Sequence, residues 1–139
     1  MQALIDDFIK KSKEKGYNVT FQRVAIYKIL LQHRDHPSAE QIYNEIKQEH
    51  PTISLATVYK TLDTLNELGL IHKVNPLYDT ARYETQMHAH HHLICLRCHD
   101  IVDISTDELG ELDIPENFHN FDILNYQIQI SGICSRCRQ

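Results

Sequence analysis

Two pairs of cysteines constrain the fold of this chain more than any other feature of its sequence. Cys95 with Cys98 and Cys134 with Cys137 have CxxC spacing, and these are the four cysteines of the 139 residues. A CxxC turn presents two sulfur atoms from one knuckle, and two knuckles complete the tetrahedral four-thiolate shell of a zinc ion. In a reducing cytoplasm the pattern favours zinc over disulfides, with free thiols or a redox switch as alternatives. Four thiolates leave no open position on the ion, so we expect a structural site rather than a catalytic one.

A run of histidines, HAHHHLICLRCH, contains the first cysteine pair. Side chains alternate between the faces of a strand, so His90 and His92 are predicted to share one face and His91 to lie on the other. The surrounding half of the chain is acidic: residues 74–139 hold four Lys or Arg against ten Asp or Glu, whereas residues 1–73 hold ten against nine. The second half is therefore suited to binding cations.

The net charge of −5 gives no general support for nucleic-acid binding, which must rest on the local placement of basic groups. No apolar run approaches the ~20 residues of a membrane span. The first helical segment, LIDDFIKKSKEKG, is charged where a signal peptide would be apolar. We therefore expect a cytoplasmic protein with no membrane partner.

Apolar residues recur at helical spacing in the first half of the chain and predict four helices. The first helix covers residues 4–15 and is closed by Gly16. Thr20, Ser38 and Ser54 are the predicted N-caps of the next three, because their side chains can accept hydrogen bonds from the free backbone N–H groups. The predicted inward side of the second helix is formed by Val24, Tyr27 and Leu31.

The helices are followed by IHKV, the turn-rich NPLYDTA and RYET, which predict a two-stranded hairpin. Four helices and a hairpin predict a winged helix-turn-helix domain at residues 1–83. In residues 84–139, HLIC, DIVDIS and FDILNYQIQIS are predicted strands around a short helix at residues 106–112. The predicted fold class is therefore α+β, with an N-terminal winged helix-turn-helix domain followed by a small α/β domain.

The start of the fourth helix, SLATVYKTL, offers polar groups suited to DNA. Its apolar stripe leaves Thr57, Tyr59, Lys60 and Thr61 on the other side, where hydroxyls, an aromatic ring and an ammonium group suit phosphates and base edges in a major groove. Arg23, near the start of the second helix, adds a positive charge. The alternative is an ordinary solvated surface, and periodicity alone does not decide between the two.

Several of these stretches together resemble the ferric uptake regulator (Fur) superfamily over nearly the whole chain. They are TFQR, HPSAEQIY, SLATVYKTLDTLNELGL, HAHHHLIC, IVDI and the two CxxC pairs. The resemblance implies a homodimer bound to palindromic operator DNA, with each winged helix reading one half-site and residues 84–139 serving dimerisation and metal binding. It also implies a structural zinc at the four cysteines. The predicted DNA contacts are Arg23, Ser54, Thr57, Tyr59 and Lys60.

The same resemblance implies a second, regulatory metal site made of three imidazoles and two carboxylates. Nitrogen and oxygen donors of this kind suit Fe(2+), Mn(2+) or zinc. Since the set draws on both domains, metal binding is expected to select the domain angle at which both recognition helices reach DNA. The ligands implied are His36, Glu84, His90, His92 and Asp103.

Each proposed ligand also has an ordinary structural alternative when it is considered alone. His36 precedes a helix and suits a surface or capping role, Glu84 suits a charge on the wing, and Asp103 suits an acid at the end of a strand. Four other histidines are expected to support the ligands or to be solvated, with the first two available for a weak accessory site. These are His88, His91, His99 and His119.

The family includes sensors of iron, zinc, manganese and peroxide. Asp103 matches the peroxide-responsive subgroup (PerR), whereas Glu84 is more typical of iron sensors, and Tyr126 stands where iron sensors often have a histidine. We favour a peroxide sensor in which ferrous iron promotes the oxidation of His36 or His90 by hydrogen peroxide. Manganese would support DNA binding but blunt that response. The alternative is an iron, zinc or manganese uptake regulator that responds to metal level alone.

Two other classes of protein share parts of the pattern. A metallohydrolase is suggested by the likeness of HAHHHL to an HxHxDH motif, which fails at His92 and Leu93. A zinc-ribbon interaction module would explain the cysteines but would leave SLATVYKTL without a role. We therefore predict a regulator and not an enzyme.

Overall fold

The computed structural model describes residues 1–75 and 80–139 and divides into two units, Met1–Met87 and His88–Gln139. Each unit is described by itself. The centre of the predicted turn NPLYDTA, residues 76–79, lies outside the described residues. The assignment of residues 1–83 to DNA binding and of residues 84–139 to dimerisation stays a prediction.

The first unit begins with the four predicted helices. Thr20, Ser38 and Ser54 each accept a hydrogen bond from the backbone N–H three residues further on, which confirms them as N-caps. Ser38 also forms a full capping box, because the Gln41 side chain accepts from its backbone N–H at 2.8 Å. The helices are α1 (Gln2–Lys15), α2 (Phe21–Gln32), α3 (Ala39–Glu49) and α4 (Leu55–Glu67).

The predicted inward side of α2 is only partly right. Tyr27 is buried as expected, but Val24 and Leu31 are half-buried, and the other fully buried side chains of the helix are Ile26 and Leu30. Because α2 packs against α1, α3 and α4, its buried surface is wider than a single stripe. The same core contains Phe8, Ile42, Ile46, Val58, Leu62, Leu65 and Ile71.

A short hairpin completes the winged helix. Its strands are β1 (His72–Val74) and β2 (Arg82–Glu84). They pair antiparallel with His72 opposite Glu84. The backbone N–H of Tyr83 donates to the carbonyl of Pro37 at 3.0 Å, and the Tyr83 ring is buried in the core. The second strand is therefore attached to the segment that leads into α3.

The second unit is built around a three-stranded sheet with the order β4-β3-β7. The central strand, β3, runs antiparallel to β4 and parallel to β7. A two-residue turn joins β5 to β6 in a separate hairpin. The elements are β3 (His90–Cys95), β4 (Ile101–Ser105), α5 (Thr106–Leu109), β5 (Asn117–Phe118), β6 (Phe121–Asp122), β7 (Gln129–Gly132) and α6 (Ser135–Arg138).

The stretch FDILNYQIQIS does not form the single strand that was predicted. Its first part is β6, which pairs with β5, and its second part is β7, which pairs with β3. Residues 123–128 between them are not in a strand. The two ends have different partners, so the backbone cannot continue as one strand through both.

The second unit buries little apolar surface. In residues 88–139, all of which the structure describes, the buried residues are His90, His91, His92, Ile94 and Cys95. Large apolar side chains are instead exposed; they include Leu93, Val102, Phe121, Leu124 and Ile133. Burial of apolar surface is the main stabilising contribution in folding, so this unit needs another source of stability.

The predicted fold class, a winged helix-turn-helix unit followed by a small α/β unit, is confirmed. No helix among the described residues is long and apolar enough to cross a bilayer.

The end of α2 is joined to α3 by an ionisable contact that gives a prediction. His33 Nδ1 lies 2.7 Å from Asp35 Oδ1, and His33 Nε2 lies 2.7 Å from Glu45 Oε1. Partial burial lowers the pKa of His33, but the hydrogen bonds to Asp35 and Glu45 outweigh it, so the pKa is raised above its ordinary value. The contact should therefore stabilise the fold below pH ~6.5 and lose this effect as pH rises through the raised pKa.

We expect His33→Gln to lower the free energy of unfolding at pH 6 by about 0.5–1 kcal/mol, the range for partly exposed ion pairs. At pH 9 the same variant should match wild type within error, as measured by urea unfolding at each pH. Equal losses at both pH values would contradict an ionic origin.

Candidate metal centres

The four cysteines come together at one end of the second unit. Cys95 is the last residue of β3, Cys98 follows in the next turn, and Cys134 and Cys137 belong to the N-cap and last turn of α6. Their Sγ atoms all lie within 4.8 Å of one another, and those of Cys98 and Cys134 are 3.8 Å apart. A tetrahedron with Zn–S distances of about 2.3 Å has S–S edges of about 3.8 Å. The cluster therefore fits a structural zinc.

Backbone amides hold Cys95 ready as a thiolate. The N–H groups of Cys134 and Cys98 donate to its Sγ at 3.4 and 3.5 Å and lower its pKa to about 5. The pKa of Cys134 is also lowered, first by the backbone N–H of Cys137, whereas the interaction with Cys134 raises the pKa of Cys137 to about 12. Because zinc binds cysteines as thiolates, its binding releases the protons that these thiols carry.

The first unit contributes a buried pair of nitrogen and oxygen donors. His36 Nε2 lies 2.8 Å from Glu84 Oε2, and the two side chains are only 5% and 4% exposed. The Arg82 guanidinium donates to the carbonyl of His36 at 3.2 Å, so β2 brings Glu84 beside the residue that precedes α3. An imidazole nitrogen and a carboxylate oxygen in this position suit a divalent metal ion.

His72 is a further donor beside this pair that the sequence analysis missed. Its Nδ1 lies 3.8 Å from Glu84 Oε1, because the two residues are directly opposite in the hairpin. The sequence predicts a hairpin around NPLYDTA, and working out which residues pair across it would have placed His72 opposite Glu84. At this distance the ring is a neighbour of the Glu84 carboxylate but lies beyond hydrogen-bond reach of Oε1.

The second unit contributes three donors on one face of its sheet. Asp103 Oδ1 lies 3.6 Å from His90 Nε2 and 3.5 Å from His92 Nε2, and Asp103 is directly opposite His92 in the β3–β4 pair. His90 Nδ1 lies 2.7 Å from the carbonyl of His88. Since a carbonyl only accepts, that nitrogen carries the proton, and Nε2 keeps its lone pair for a ligand. The predicted alternation of His90 and His92 on one face is confirmed.

His91 lies on the opposite face and has a structural role. Its Nδ1 accepts a hydrogen bond from the backbone N–H of Ile128 at 3.0 Å. Its ring stacks on Tyr126 with centroids 5.8 Å apart and an interplanar angle of 19°. These contacts connect β3 to the segment before β7.

His99 and His119 both have left-handed backbone angles, with φ of 64° and 50°, and His119 lies in the β5–β6 turn.

The predicted DNA-contacting residues occupy the start of α2 and α4. Ser54, Tyr59 and Lys60 are exposed, and Thr57 is half-buried. Arg23 is half-buried, and its guanidinium donates to the carbonyl of Asn18 at 2.9 Å.

Thr61 does not share that surface, in contrast to its predicted position. It is fully buried, and its hydroxyl donates to the carbonyl of Thr57 at 2.8 Å. This bond satisfies the hydroxyl inside the core, which is how a polar residue is accommodated on the apolar side of a helix.

Tyr59 has a partner that the sequence did not indicate. Its hydroxyl donates to Glu40 Oε1 at 2.8 Å, which raises the pKa of the tyrosine. Glu40 lies in the first turn of α3, so the contact holds the exposed ring of α4 against the preceding helix.

A family model described as the ferric uptake regulator family matches residues 14–131. The chain belongs to the ferric uptake regulator family. This Fur-family chain is 29% identical over 135 residues to the peroxide-responsive repressor PerR of Staphylococcus aureus. The matched stretch covers 96% of this chain and 91% of the relative. The identification as a Fur-family metalloregulator similar to PerR is therefore confirmed.

Solved structures of relatives have the same fold. The Campylobacter jejuni peroxide stress regulator is 32% identical, with a TM-score of 0.63 over 94% of this chain and 96% of that one. The Helicobacter pylori ferric uptake regulator, described as having three functional metal binding sites, has a TM-score of 0.82 at 20% identity, over 99% of this chain and 93% of that one. Members of the family are transcription regulators, which favours a regulator over the hydrolase and zinc-ribbon alternatives.

Zinc removal gives a prediction about the second unit. Since this unit has few buried apolar residues, we expect chelation of zinc under reducing conditions to speed amide exchange in β3, β4 and β7 by at least about 100-fold. The amides of α2, α3 and α4 should be unaffected, because their core is independent of the cysteines. Hydrogen exchange followed by mass spectrometry measures both regions in one experiment.

Two controls accompany this experiment. Addition of zinc should restore protection, and Cys98→Ser should exchange like the zinc-free protein. Unchanged protection of the sheet after complete zinc removal would contradict a structural role for the metal.

Proposed function

We propose that this chain is a metal-dependent transcriptional repressor that binds palindromic operator DNA as a homodimer and senses hydrogen peroxide. The observation that carries the proposal is the set of nitrogen and oxygen donors in a Fur-family chain. The first unit supplies His36 and Glu84, and the second supplies His90, His92 and Asp103. The proposed role is regulatory rather than enzymatic.

The division of these donors between the units is the proposed basis of regulation. Two donors on one unit and three on the other are each too few for a five- or six-coordinate ion, whereas the combined set is sufficient. Binding of Fe(2+) or Mn(2+) to all five would restrict the relative positions of the units and favour the DNA-binding arrangement. Without the metal, the protein would sample a wider range of arrangements.

DNA binding is proposed for the exposed start of α4 together with Arg23. Ser54, Thr57, Tyr59 and Lys60 offer hydroxyl, aromatic and ammonium groups on one stretch of surface, as major-groove contacts require. A C2-symmetric dimer would present two such helices, which is the arrangement that a palindromic operator matches.

Homodimerisation is supported by the exposed apolar residues of the second unit. Val102 is 56% exposed, Phe121 is 70% exposed and Leu124 is 91% exposed, in a unit with very few buried apolar residues. Monomeric proteins rarely expose large contiguous apolar patches. A second copy of the chain would cover them.

Peroxide sensing is proposed from the regulatory donors. Ferrous iron held by these donors would activate hydrogen peroxide by redox chemistry. In the net reaction the imidazole of His36 or His90 would lose two electrons to the peroxide; the ring would gain one oxygen atom, and the other would leave as water. An oxidised ring is a poorer ligand, so metal and DNA are released. The side chain of Asp103 is one methylene shorter than that of a glutamate and would leave more space beside a bound ion for peroxide.

The peroxide proposal predicts a mass shift. After iron-loaded protein is treated with hydrogen peroxide, tryptic peptides containing His36 or His90 should gain one oxygen atom. Manganese-loaded protein is the matched control and should stay unmodified. Asp103→Glu should retain metal-dependent DNA binding but show reduced oxidation. Unmodified iron-loaded protein that still releases DNA when metal is withdrawn would instead support a regulator of metal level, the alternative favoured by Glu84.

The DNA-binding proposal predicts a change in salt dependence. Lys60→Ala should weaken operator binding and reduce the slope of log K against log salt concentration by about 1, because one phosphate contact is lost. Lys11→Ala is the control, since Lys11 pairs with Asp7 on α1 at 3.1 Å. Fluorescence anisotropy with Mn(2+) present measures both slopes. An unchanged slope in Lys60→Ala would exclude a phosphate contact by this residue.

A further inference from the structure

All the cationic side chains of the second unit lie in or beside the two CxxC knuckles. Residues 88–139 contain no lysine and three arginines, Arg97, Arg136 and Arg138, against eight Asp or Glu. Arg97 lies between Cys95 and Cys98, and Arg136 lies between Cys134 and Cys137. The positive charge of an acidic unit is therefore concentrated at its thiolate site.

Arg97 and Arg136 each reach from their own knuckle to the other one. Arg97 Nη1 donates to the carbonyl of Cys137 at 2.6 Å. Arg136 Nη2 donates to the carboxylate of Asp100 and lies 3.9 Å from Cys98 Sγ. The two contacts are reciprocal, so each guanidinium connects the first knuckle to the second.

Arg138 differs from these two arginines. Like Arg136, it belongs to α6. Its side chain, however, has no hydrogen bond or ion pair anywhere in the two ranges that the structure describes, 1–75 and 80–139. It is exposed, and it carries the same charge only two residues from Arg136. The chain thus contains its own control for the effect of net charge.

We propose that Arg97 and Arg136 are positioning residues of the zinc site, which hold the two knuckles together and slow the release of the metal. A zinc ion with four thiolates carries a net charge of about −2, and the carboxylates of the unit add to it. A guanidinium near the sulfur atoms offsets that charge and donates a charge-assisted hydrogen bond across the two knuckles. Its planar group holds the donors in fixed directions toward the carboxylate and the sulfur, whereas a lysine ammonium is a point charge on a flexible stem.

The contact with Asp100 contributes a second effect. The backbone carbonyl of Asp100 accepts from the N–H of Cys95 at 3.0 Å, so this residue is part of the first knuckle. Because the Asp100 carboxylate orients the Arg136 guanidinium, the ion pair sets where the positive charge lies. Outer contacts of this kind commonly change metal affinity by about 10- to 100-fold.

The test compares zinc release from full-length, zinc-loaded variants under reducing conditions. Transfer of zinc to a chromogenic chelator should be about 10-fold faster or more for Arg136→Gln and Arg97→Gln than for wild type. Arg138→Gln, the matched control, should stay within about two-fold of wild type. Arg136→Lys should fall between wild type and Arg136→Gln, because it keeps the charge but not the geometry.

A second measurement covers a variant that does not keep zinc through purification. Its zinc affinity is then determined by competition, and the thiolate-to-cobalt absorption of the Co(2+)-substituted protein reports whether all four sulfurs bind. Equal release rates and equal affinities for Arg136→Gln, Arg97→Gln and Arg138→Gln would overturn the proposal. Because the inference rests on the zinc site, metal analysis must first show that the wild-type protein holds one zinc per chain. A wild-type protein without zinc would refute the zinc site and this inference with it. DNA binding and peroxide sensing would still be decided by their own experiments.

Discussion

The second unit depends on the bond between one metal ion and four sulfur atoms. Its sheet has three short strands, and its buried residues are three histidines, one isoleucine and one cysteine. Such a small apolar core does not offset the conformational entropy lost when about fifty residues are ordered. Zinc coordination supplies stabilisation of the required size, because the folded site binds the ion and the unfolded chain does not. The four cysteines are therefore a condition for the sheet on which the other donors lie.

The central strand β3 links this condition to the regulatory donors. Cys95 ends the strand, and His90 and His92 begin it, with Asp103 opposite His92 on β4. The two-residue period of a strand places both imidazoles on the same face and His91 on the other. His91 then packs on Tyr126, so a single run of histidines provides both ligands and packing. Movement of the cysteine end would alter the position of every donor on this unit.

Local signals in the sequence were sufficient to predict most of the fold. The four helices, their caps and the winged hairpin follow from apolar periodicity and from Ser, Thr and Gly at the boundaries, all of which act over a few residues. The errors arise where distant residues decide the outcome. The inward side of α2 was predicted too narrow because one stripe was assumed, whereas the helix packs on three others; Val24 and Leu31 do pack against the core, partly buried. Thr61 was placed outside because its hydroxyl is polar, although a carbonyl of its own helix accepts its proton. His72 and Glu40 were missed because their roles come from pairing across a hairpin and between helices.

The parallel pairing of β3 with β7 affects how the second unit folds. These strands are neighbours in the sheet although residues 96–128 lie between them along the chain. Contacts so distant in sequence form slowly, since the loop must close before any pairing stabilises it. A zinc ion bound first by Cys95 and Cys98 would also bind the second pair of thiolates when they approach. That binding would close the loop and bring β7 beside β3. The helices of the first unit pack mainly with neighbours along the chain and can form without this step. The supply of zinc during synthesis should then control how quickly the second unit becomes ordered after the first.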